Sequence, residues 1–176
     1  IGVTGAVACG KSTLGRTFLC EYPYEGRIRF LGKELSEMTK AERTGMVGYL
    51  GHDPELFNDT VRNNILLGDD DDPEKYLKAV CFDGEVAEME EGMDTIVGKA
   101  QRLALARTLC HKRPVLILDD PFSALDRKTE EEVFANLKKL ASDSIVILLS
   151  HRLYLFPQMS QVLWMEDGKV TAGTHE

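Results

Sequence analysis

The chain has 176 residues, of which 43% are hydrophobic, and this is enough for one domain with a sizeable core. Its formal net charge of -8 argues against general nucleic-acid binding, which needs a basic surface stripe. Four cysteines without C-x-x-C spacing argue against disulfides and a zinc site, and no apolar stretch approaches the roughly 20 residues that span a bilayer.

The first predicted elements are a strand, a phosphate-binding loop and a helix. Residues 1–4 form the strand, the next segment fits the pattern G-x-x-x-x-G-K-[ST], and a helix is predicted from Lys11 to about Cys20. In this pattern backbone N–H groups surround phosphates, the lysine reaches the β and γ oxygens, and the serine hydroxyl binds Mg²⁺. The pattern therefore predicts a nucleoside triphosphate site. The residues expected to hold the nucleotide are Gly5, Ala6, Val7, Ala8, Cys9, Gly10, Lys11, Ser12 and Thr13.

The middle of the chain changes from strand patterns to helical ones. Residues 27–31 alternate like a half-exposed hairpin strand and residues 46–50 read as a buried strand, so a mixed sheet begins here. Between residues 58 and 113 apolar side chains recur with a helical period, which predicts an inserted helical subdomain. The acidic run at 69–72 is interpreted as a solvated loop and helix start rather than a metal cluster.

After Pro114 the alternation of strands and helices resumes. An apolar strand at 115–118 ends in Asp119 and Asp120. Parallel strands of an open α/β sheet place ligands at their carboxyl ends, so Asp119 is expected to meet the phosphate loop and to bind its Mg²⁺. The remaining predicted elements are a helix at about 127–141, a strand at 145–149 and a hairpin at 162–170.

Four motifs in a fixed order make the chain resemble the nucleotide-binding domain of ATP-binding cassette (ABC) transporters along essentially its whole length. Besides the phosphate loop and Asp119, residues 123–126 resemble the D-loop and residues 150–153 resemble the switch-histidine segment. Three further segments are similar to the exporter branch of the family: residues 53–65, 92–98 and 173–176. The resemblance implies an α/β fold, a P-loop NTPase (RecA-like) core with a mixed or antiparallel β part at 1–57 and 114–176, and an inserted α-helical subdomain at 58–113.

The resemblance also implies a function and its partners. A cassette of this family binds ATP and Mg²⁺, closes head to tail on a second cassette, identical or different, and hydrolyses ATP to power a membrane transporter. Because the sequence opens in mid-strand without a methionine, a transmembrane part is expected upstream and the cassette at the cytoplasmic face of the membrane; no nucleic-acid partner is expected. In the implied site Ser12 and Asp119 bind the metal, Asp120 is the base for the attacking water, and His151 hydrogen-bonds the γ-phosphate.

Three substitutions depart from the family pattern. Ala8 replaces a glycine, and its methyl group restricts the backbone if φ is positive there. His52 replaces the glutamine of the Q-loop; a neutral imidazole still accepts from a metal-bound water, so His52 stays a candidate catalytic residue. Asp120 replaces a glutamate and is shorter by one methylene, and a displacement of about 1 Å costs on the order of a hundredfold in rate.

The signature motif Leu-Ser-Gly-Gly-Gln is missing between Gly98 and Gln101, although both flanks match. One hypothesis is a segment left out of the sequence between Lys99 and Ala100, and the other is a true deletion. A deletion removes the glycine-rich helix start that binds the partner's γ-phosphate. Such a cassette binds ATP without completing the site of its neighbour.

Two functions of different classes therefore stand side by side. The leading one is an MgATP-hydrolysing cassette of an exporter-type transporter. The alternative is a degenerate cassette of a heterodimeric exporter that holds ATP with little or no hydrolysis, which Ala8, His52 and Asp120 favour. A soluble relative acting on ribosomes or DNA ends is disfavoured by the acidic charge, and a P-loop kinase by the motifs after residue 122.

Overall fold

The computed structural model describes residues 1–98 and 100–173. Lys99, at one end of the missing signature, and residues 174–176, most of the exporter-like closing segment, lie outside the described residues. The hypotheses that fall on them stay predictions. Among the described residues, no helix is both long enough and apolar enough to cross a membrane.

Contacts between residues divide the chain into two compact units. The sheet unit comprises Ile1–Gly51, Arg113–Asp120 and the residues from Ser144 onward. The helical unit comprises His52–Lys112 and Pro121–Asp143. The sequence analysis assigned residues 121–143 to the α/β core, whereas the residue contacts group Pro121–Asp143 with the helical unit.

The sheet unit contains a six-stranded sheet and a separate two-stranded hairpin. In the large sheet the strand order is β10-β9-β1-β8-β7-β4, and only the β9/β10 pair is antiparallel. The elements of this unit, numbered in chain order through both units, are β1 (Gly2–Gly5), α1 (Lys11–Thr17), β2 (Arg29–Phe30), β3 (Lys33–Glu34), α2 (Lys40–Met46), β4 (Val47–Leu50), β7 (Val115–Asp119), β8 (Ile145–Leu149), β9 (Val162–Glu166) and β10 (Lys169–Gly173).

The predicted strands are confirmed, and β7 shows why their patterns were clear. All five of its residues are buried, as expected for a central parallel strand that is covered on both faces. The predicted helix after the phosphate loop is shorter than expected, ending at Thr17, and Cys20 has a φ of 58°, which a continuing helix excludes. Helix α2 was not predicted, although a Thr39/Glu42 capping box marks its start.

Helix α1 packs against one face of the sheet at very close range. A β-carbon added to Gly15 would lie 2.8 Å from Leu149 Cδ1, 3.1 Å from Tyr49 Cε2 and 3.2 Å from Ile117 Cγ2. Only glycine allows this approach without displacing those side chains. Since α1 follows the phosphate loop directly, its tight packing holds the loop against the end of the sheet.

The helical unit is built around α6, whose apolar residues are almost completely buried. Leu103 and Leu105 have no exposed surface, and α6 contacts two other helices of the unit, α3 and α4. Its elements are β5 (Asp59–Thr60), α3 (Val61–Leu66), α4 (Pro73–Ala79), α5 (Asp83–Ala87), β6 (Ile96–Val97), α6 (Gln101–Cys110) and α7 (Arg127–Leu140). The acidic run is a solvated loop and helix start, as predicted, because the Asp72 side chain accepts from Glu74 N at the start of α4.

Helix α7 belongs to the helical unit through aromatic and polar contacts. The Phe134 ring meets Phe122 edge-on, with centroids 6.4 Å apart, and Asn136 Nδ2 donates to Ala79 O at 3.1 Å. His111 is largely covered, with 19% of its side chain exposed, and its Nε2 lies 2.9 Å from Ile65 O. All four cysteines are free thiols, and the described residues form no cluster of three potential metal ligands.

Candidate functional site

The phosphate loop joins β1 to α1 and adopts a backbone that few residues tolerate. Gly5 has a φ of 151°, and a β-carbon there would lie 2.1 Å from the carbonyl oxygen of Met165, so no other residue fits. Ala8 has a φ of 64°, in the left-handed region. Because φ is positive, the methyl group of Ala8 does restrict the backbone here, and this conformation costs about 1–2 kcal/mol.

Lys11, the first residue of α1, turns its side chain back over the loop. Its Nζ donates to Gly5 O at 3.0 Å and to Ala6 O at 2.9 Å, and lies 3.7 Å from Cys9 Sγ. The loop therefore holds an ammonium group beside its own carbonyl groups. This is a cation placed where the sequence pattern expects phosphate oxygens.

Asp119 lies at the same level of the sheet as Val3 in β1, two residues before the phosphate loop begins at Gly5. Leu149 of β8 pairs with Val3 on one side and with Asp119 on the other. Adjacent strands are about 4.8 Å apart, so about 10 Å separates the backbones of these two residues. Asp119 is 6% exposed, whereas Ser12 is exposed at the start of α1. Both offer the oxygen ligands that Mg²⁺ prefers.

Tyr49 is a residue of this site that the sequence analysis missed. Its hydroxyl donates to Asp119 Oδ2 at 3.1 Å, and the Arg16 guanidinium faces the same hydroxyl. Burial, followed by the nearby Asp119 carboxylate, raises the pKa of Tyr49 to about 12. The sequence carried no signal for this contact, because the pairing of Tyr49 with Ile117, which puts Tyr49 and Asp119 on the same face, is set only in the folded sheet.

Asp120 and His151 lie together at the ends of β7 and β8. His151 Nδ1 is 3.9 Å from Asp120 Oδ2, which is a possible ion pair but too long for a hydrogen bond. Asp120 has a φ of 48°, and its N–H donates to Leu149 O at 2.8 Å, so the backbone turns sharply after Asp119. Next to His151, the buried Ser150 donates its N–H to Val3 O at 3.0 Å.

The structure thus brings most of the predicted site residues into one unit. The sheet unit contains the loop from Gly5 to Thr13, together with Asp119, Asp120 and His151. His52 is exposed and belongs to the helical unit, two residues after the end of β4.

The D-loop and the region of the missing signature also lie in the helical unit. Ser123 Oγ donates to Gln101 Oε1 at 2.9 Å, and the Asp126 carboxylate caps α7 by accepting from the N–H groups of Lys128 and Thr129. Helix α6 begins at Gln101 after Ala100, and no side chain among the described residues caps it. Gly98, Lys99 and Ala100 are consecutive in the 176-residue sequence, with no signature residues between them.

Comparison with known proteins gives consistent matches. The family model described as ABC transporter matches residues 1–123. An ATM1-type heavy metal exporter of Novosphingobium aromaticivorans is 30% identical over 190 residues, covering 99% of this chain and 31% of its own length. A probable multidrug resistance ABC transporter ATP-binding/permease protein, YheI of Bacillus subtilis, is 31% identical over 191 residues, covering 100% of this chain and 33% of its own length.

A solved structure agrees with the sequence matches. The structure of a bacterial Atm1-family ABC exporter with ATP bound has a TM-score of 0.89 and 30% identity, over 99% of this chain and 33% of that one. The chain spans about a third of the length of the relatives it matches. The alignment to YheI extends over 191 positions, more than the 176 residues present here, so that relative has residues that this chain lacks.

Proposed function

Because the chain belongs to the ABC transporter family, with an exporter-type cassette on a P-loop NTPase core, we propose that it binds MgATP and hydrolyses it to power transport. The observation that carries the proposal is the register of β1, β8 and β7. It sets Asp119 level with Val3 of β1, two strand spacings away, and the phosphate loop begins two residues further along β1, at Gly5. A bound triphosphate needs the phosphate loop for its phosphates, and its metal ion needs a nearby carboxylate.

The nucleotide contacts fall to the phosphate loop. Backbone N–H groups of residues 5–13 and the Lys11 ammonium group neutralise and orient the phosphates, and Ser12 and Asp119 hold the metal. The donor set fits Mg²⁺, because it consists of a hydroxyl and a carboxylate. When bound, the ion neutralises charge that develops on the phosphate oxygens.

Asp120 and His151 are the residues proposed to act in hydrolysis. Water attacks the γ-phosphorus, the bond to the bridging oxygen of the β-phosphate breaks, and the water's proton passes to the Asp120 carboxylate. His151, 3.9 Å from that carboxylate, hydrogen-bonds the γ-phosphate and the attacking water. His52 is proposed to accept from a metal-bound water in place of the family's glutamine.

The test is ATP turnover by the chain and by its Asp120→Asn variant. We expect slow Mg²⁺-dependent turnover that the substitution abolishes while ATP stays bound, because the amide keeps the shape and loses the base. The exposed Glu37, in the same unit, provides the control Glu37→Gln, which should turn over ATP like the unmodified chain. Equal turnover before and after Asp120→Asn would contradict the role of Asp120.

A second function is favoured by Ala8, together with His52 and Asp120 in place of the family's glutamine and glutamate. The chain would then be the degenerate member of a heterodimeric exporter, which holds ATP with little or no hydrolysis. The left-handed φ of Ala8 strains the phosphate loop. Tight ATP binding with no turnover, and no further change on Asp120→Asn, would support this reading over the first.

The proposed function also implies two partners. We propose that one partner is a second cassette, which differs from this one because this chain lacks a signature to offer. The other is a transmembrane domain, fused upstream or bound separately, which holds the cassette at the cytoplasmic face of the membrane. Gel filtration with MgATP tests the first part. The chain alone should elute as a monomer, and mixing with a cassette that has an intact signature should produce a dimer.

A further inference from the structure

Tyr49 and Asp119 meet through the register of two neighbouring strands. Leu50 of β4 pairs with Leu118 of β7, and Tyr49 pairs with Ile117. Because side chains alternate, Tyr49, Ile117 and Asp119 point to the same face of the sheet. This is the face on which α1 packs, since a β-carbon on Gly15 would touch both Tyr49 and Ile117.

The Tyr49 hydroxyl is held as a hydrogen-bond donor to the carboxylate. It lies 3.1 Å from Asp119 Oδ2, and the Arg16 guanidinium on α1 also faces the hydroxyl. A carboxylate oxygen only accepts, so the phenol O–H of Tyr49 is the donor in this hydrogen bond.

We infer that Tyr49 is a positioning residue for the metal site, which orients the Asp119 carboxylate by holding its Oδ2 and leaves Oδ1 to face the metal ion. The inference rests on the proposed function, in which Asp119 binds Mg²⁺. Asp119 is only 6% exposed, so water rarely replaces a lost donor, and loss of the hydroxyl leaves the carboxylate free to turn about its own bond. Outer partners of metal-binding carboxylates typically matter by 10- to 100-fold in metal affinity.

The chain offers a matched control for this contact. Tyr24 in the same unit also donates to a carboxylate oxygen at 3.1 Å, Glu34 Oε1, but that carboxylate belongs to the β2/β3 hairpin. Tyr49→Phe and Tyr24→Phe therefore remove the same chemical contact, a phenol to a carboxylate, and retain the ring. Only the first should affect a metal ion at Asp119.

The experiment measures the Mg²⁺ concentration at which a fluorescent ATP analogue binds half-maximally to the 176-residue chain. The same analogue is titrated in EDTA, and thermal unfolding is recorded for each variant. For Tyr49→Phe we expect the Mg²⁺ midpoint to rise about tenfold, with affinity in EDTA unchanged. Tyr24→Phe should leave both unchanged, and adding Tyr49→Phe to Asp119→Asn should cause no further rise.

Each other outcome counts against the inference. An unchanged Mg²⁺ midpoint in Tyr49→Phe, or an equal rise in Tyr24→Phe, overturns it and leaves the proposed function intact. An equal loss of affinity in EDTA shows that Tyr49 only supports the fold, which also overturns it. If analogue binding to the unmodified chain does not respond to Mg²⁺ at all, the proposed metal site fails and the inference fails with it.

Discussion

The sheet unit and the helical unit differ in how much of the family's machinery they keep. In the sheet unit the phosphate loop, Lys11, Asp119, Asp120 and His151 all stand at the carboxyl ends of parallel strands. In the helical unit, α6 starts at Gln101 without the glycine-rich residues that the family has before it. Under the proposed function, the residues for the chain's own nucleotide are present in the sheet unit, whereas the signature that would serve a partner's nucleotide does not occur in this sequence.

The core of the helical unit is well packed without the signature residues. Leu103, Leu105 and Leu109 of α6 are as deeply buried as Leu116 and Ile117 of β7. Apolar burial, which dominates stability, does not depend on the signature, because in the family that motif precedes the buried part of the helix. The two units therefore differ in their motifs and not in the burial of their cores.

The largest effect we expect tests the claim that both cores are equally well packed. Leu105→Ala and Ile117→Ala should each lower the free energy of unfolding by about 2–5 kcal/mol, because each leaves a cavity in a fully buried site. Urea denaturation measures this. Ile96→Ala, at an exposed position of the helical unit, is the control and should cost much less. A negligible loss of unfolding free energy in Leu105→Ala would show that the core of the helical unit is less well packed than that of the sheet unit.

The next effect tests whether the sheet unit alone holds the nucleotide. Lys11→Ala should weaken ATP binding on the order of 100-fold, because it removes charge-assisted hydrogen bonds to the phosphates. Isothermal titration calorimetry measures the affinity. Lys33→Ala removes an exposed lysine that pairs with Glu42 in the same unit, and it should bind ATP normally. Similar losses in the two variants would mean that general charge, rather than the loop, attracts the nucleotide.

A smaller effect concerns the strain in the phosphate loop. Ala8→Gly should raise the free energy of unfolding by about 0.5–1 kcal/mol, since relief of the left-handed conformation outweighs the added entropy of the unfolded chain. Chemical denaturation, with ATP affinity measured in parallel, checks this. A less stable variant would show that the loop accommodates alanine without strain. The conformation of Ala8 would then no longer favour the degenerate, ATP-holding function.

The smallest effect lies in the helical unit, at the D-loop aspartate. Hydrogen bonds from the Thr129 hydroxyl and backbone hold the pKa of Asp126 below its ordinary value of 3.8. The ionised form therefore stabilises the fold fully above about pH 4, and this contribution is lost as the pH falls through the lowered pKa. Asp126→Ala should lower Tm by a few degrees at pH 7, and the difference should shrink below pH 4.

The matched variant for this test is Asp126→Asn. Asparagine still caps a helix, so its Tm at pH 7 should lie between those of the unmodified chain and Asp126→Ala. A difference between the aspartate and alanine forms that stays constant down to pH 2 would show that the charge of Asp126 contributes nothing to the cap.

Much of the site was predictable because its signals are local. Glycine and lysine spacing marks the phosphate loop, and a continuous apolar run ending in Asp119 marks a buried strand with a carboxylate at its end. Helix α2 could have been predicted from Thr39 and Glu42, whose spacing is that of a capping box. Tyr49 was harder, because its partner lies 70 residues away and a tyrosine in a buried strand is usually a packing residue.

The sequence by itself determined which segments are strands, helices and loops, and which residues belong to the phosphate site, because periodicity and motif spacing act over a few residues. Only the tertiary structure decided the strand order, which sets β1 between β9 and β8. It also decided that Asp120 meets His151, that Tyr49 meets Asp119, and that α7 joins the helical unit. These contacts depend on register and packing between distant segments, which hydrogen-bond ladders and buried apolar surface establish only when the chain folds.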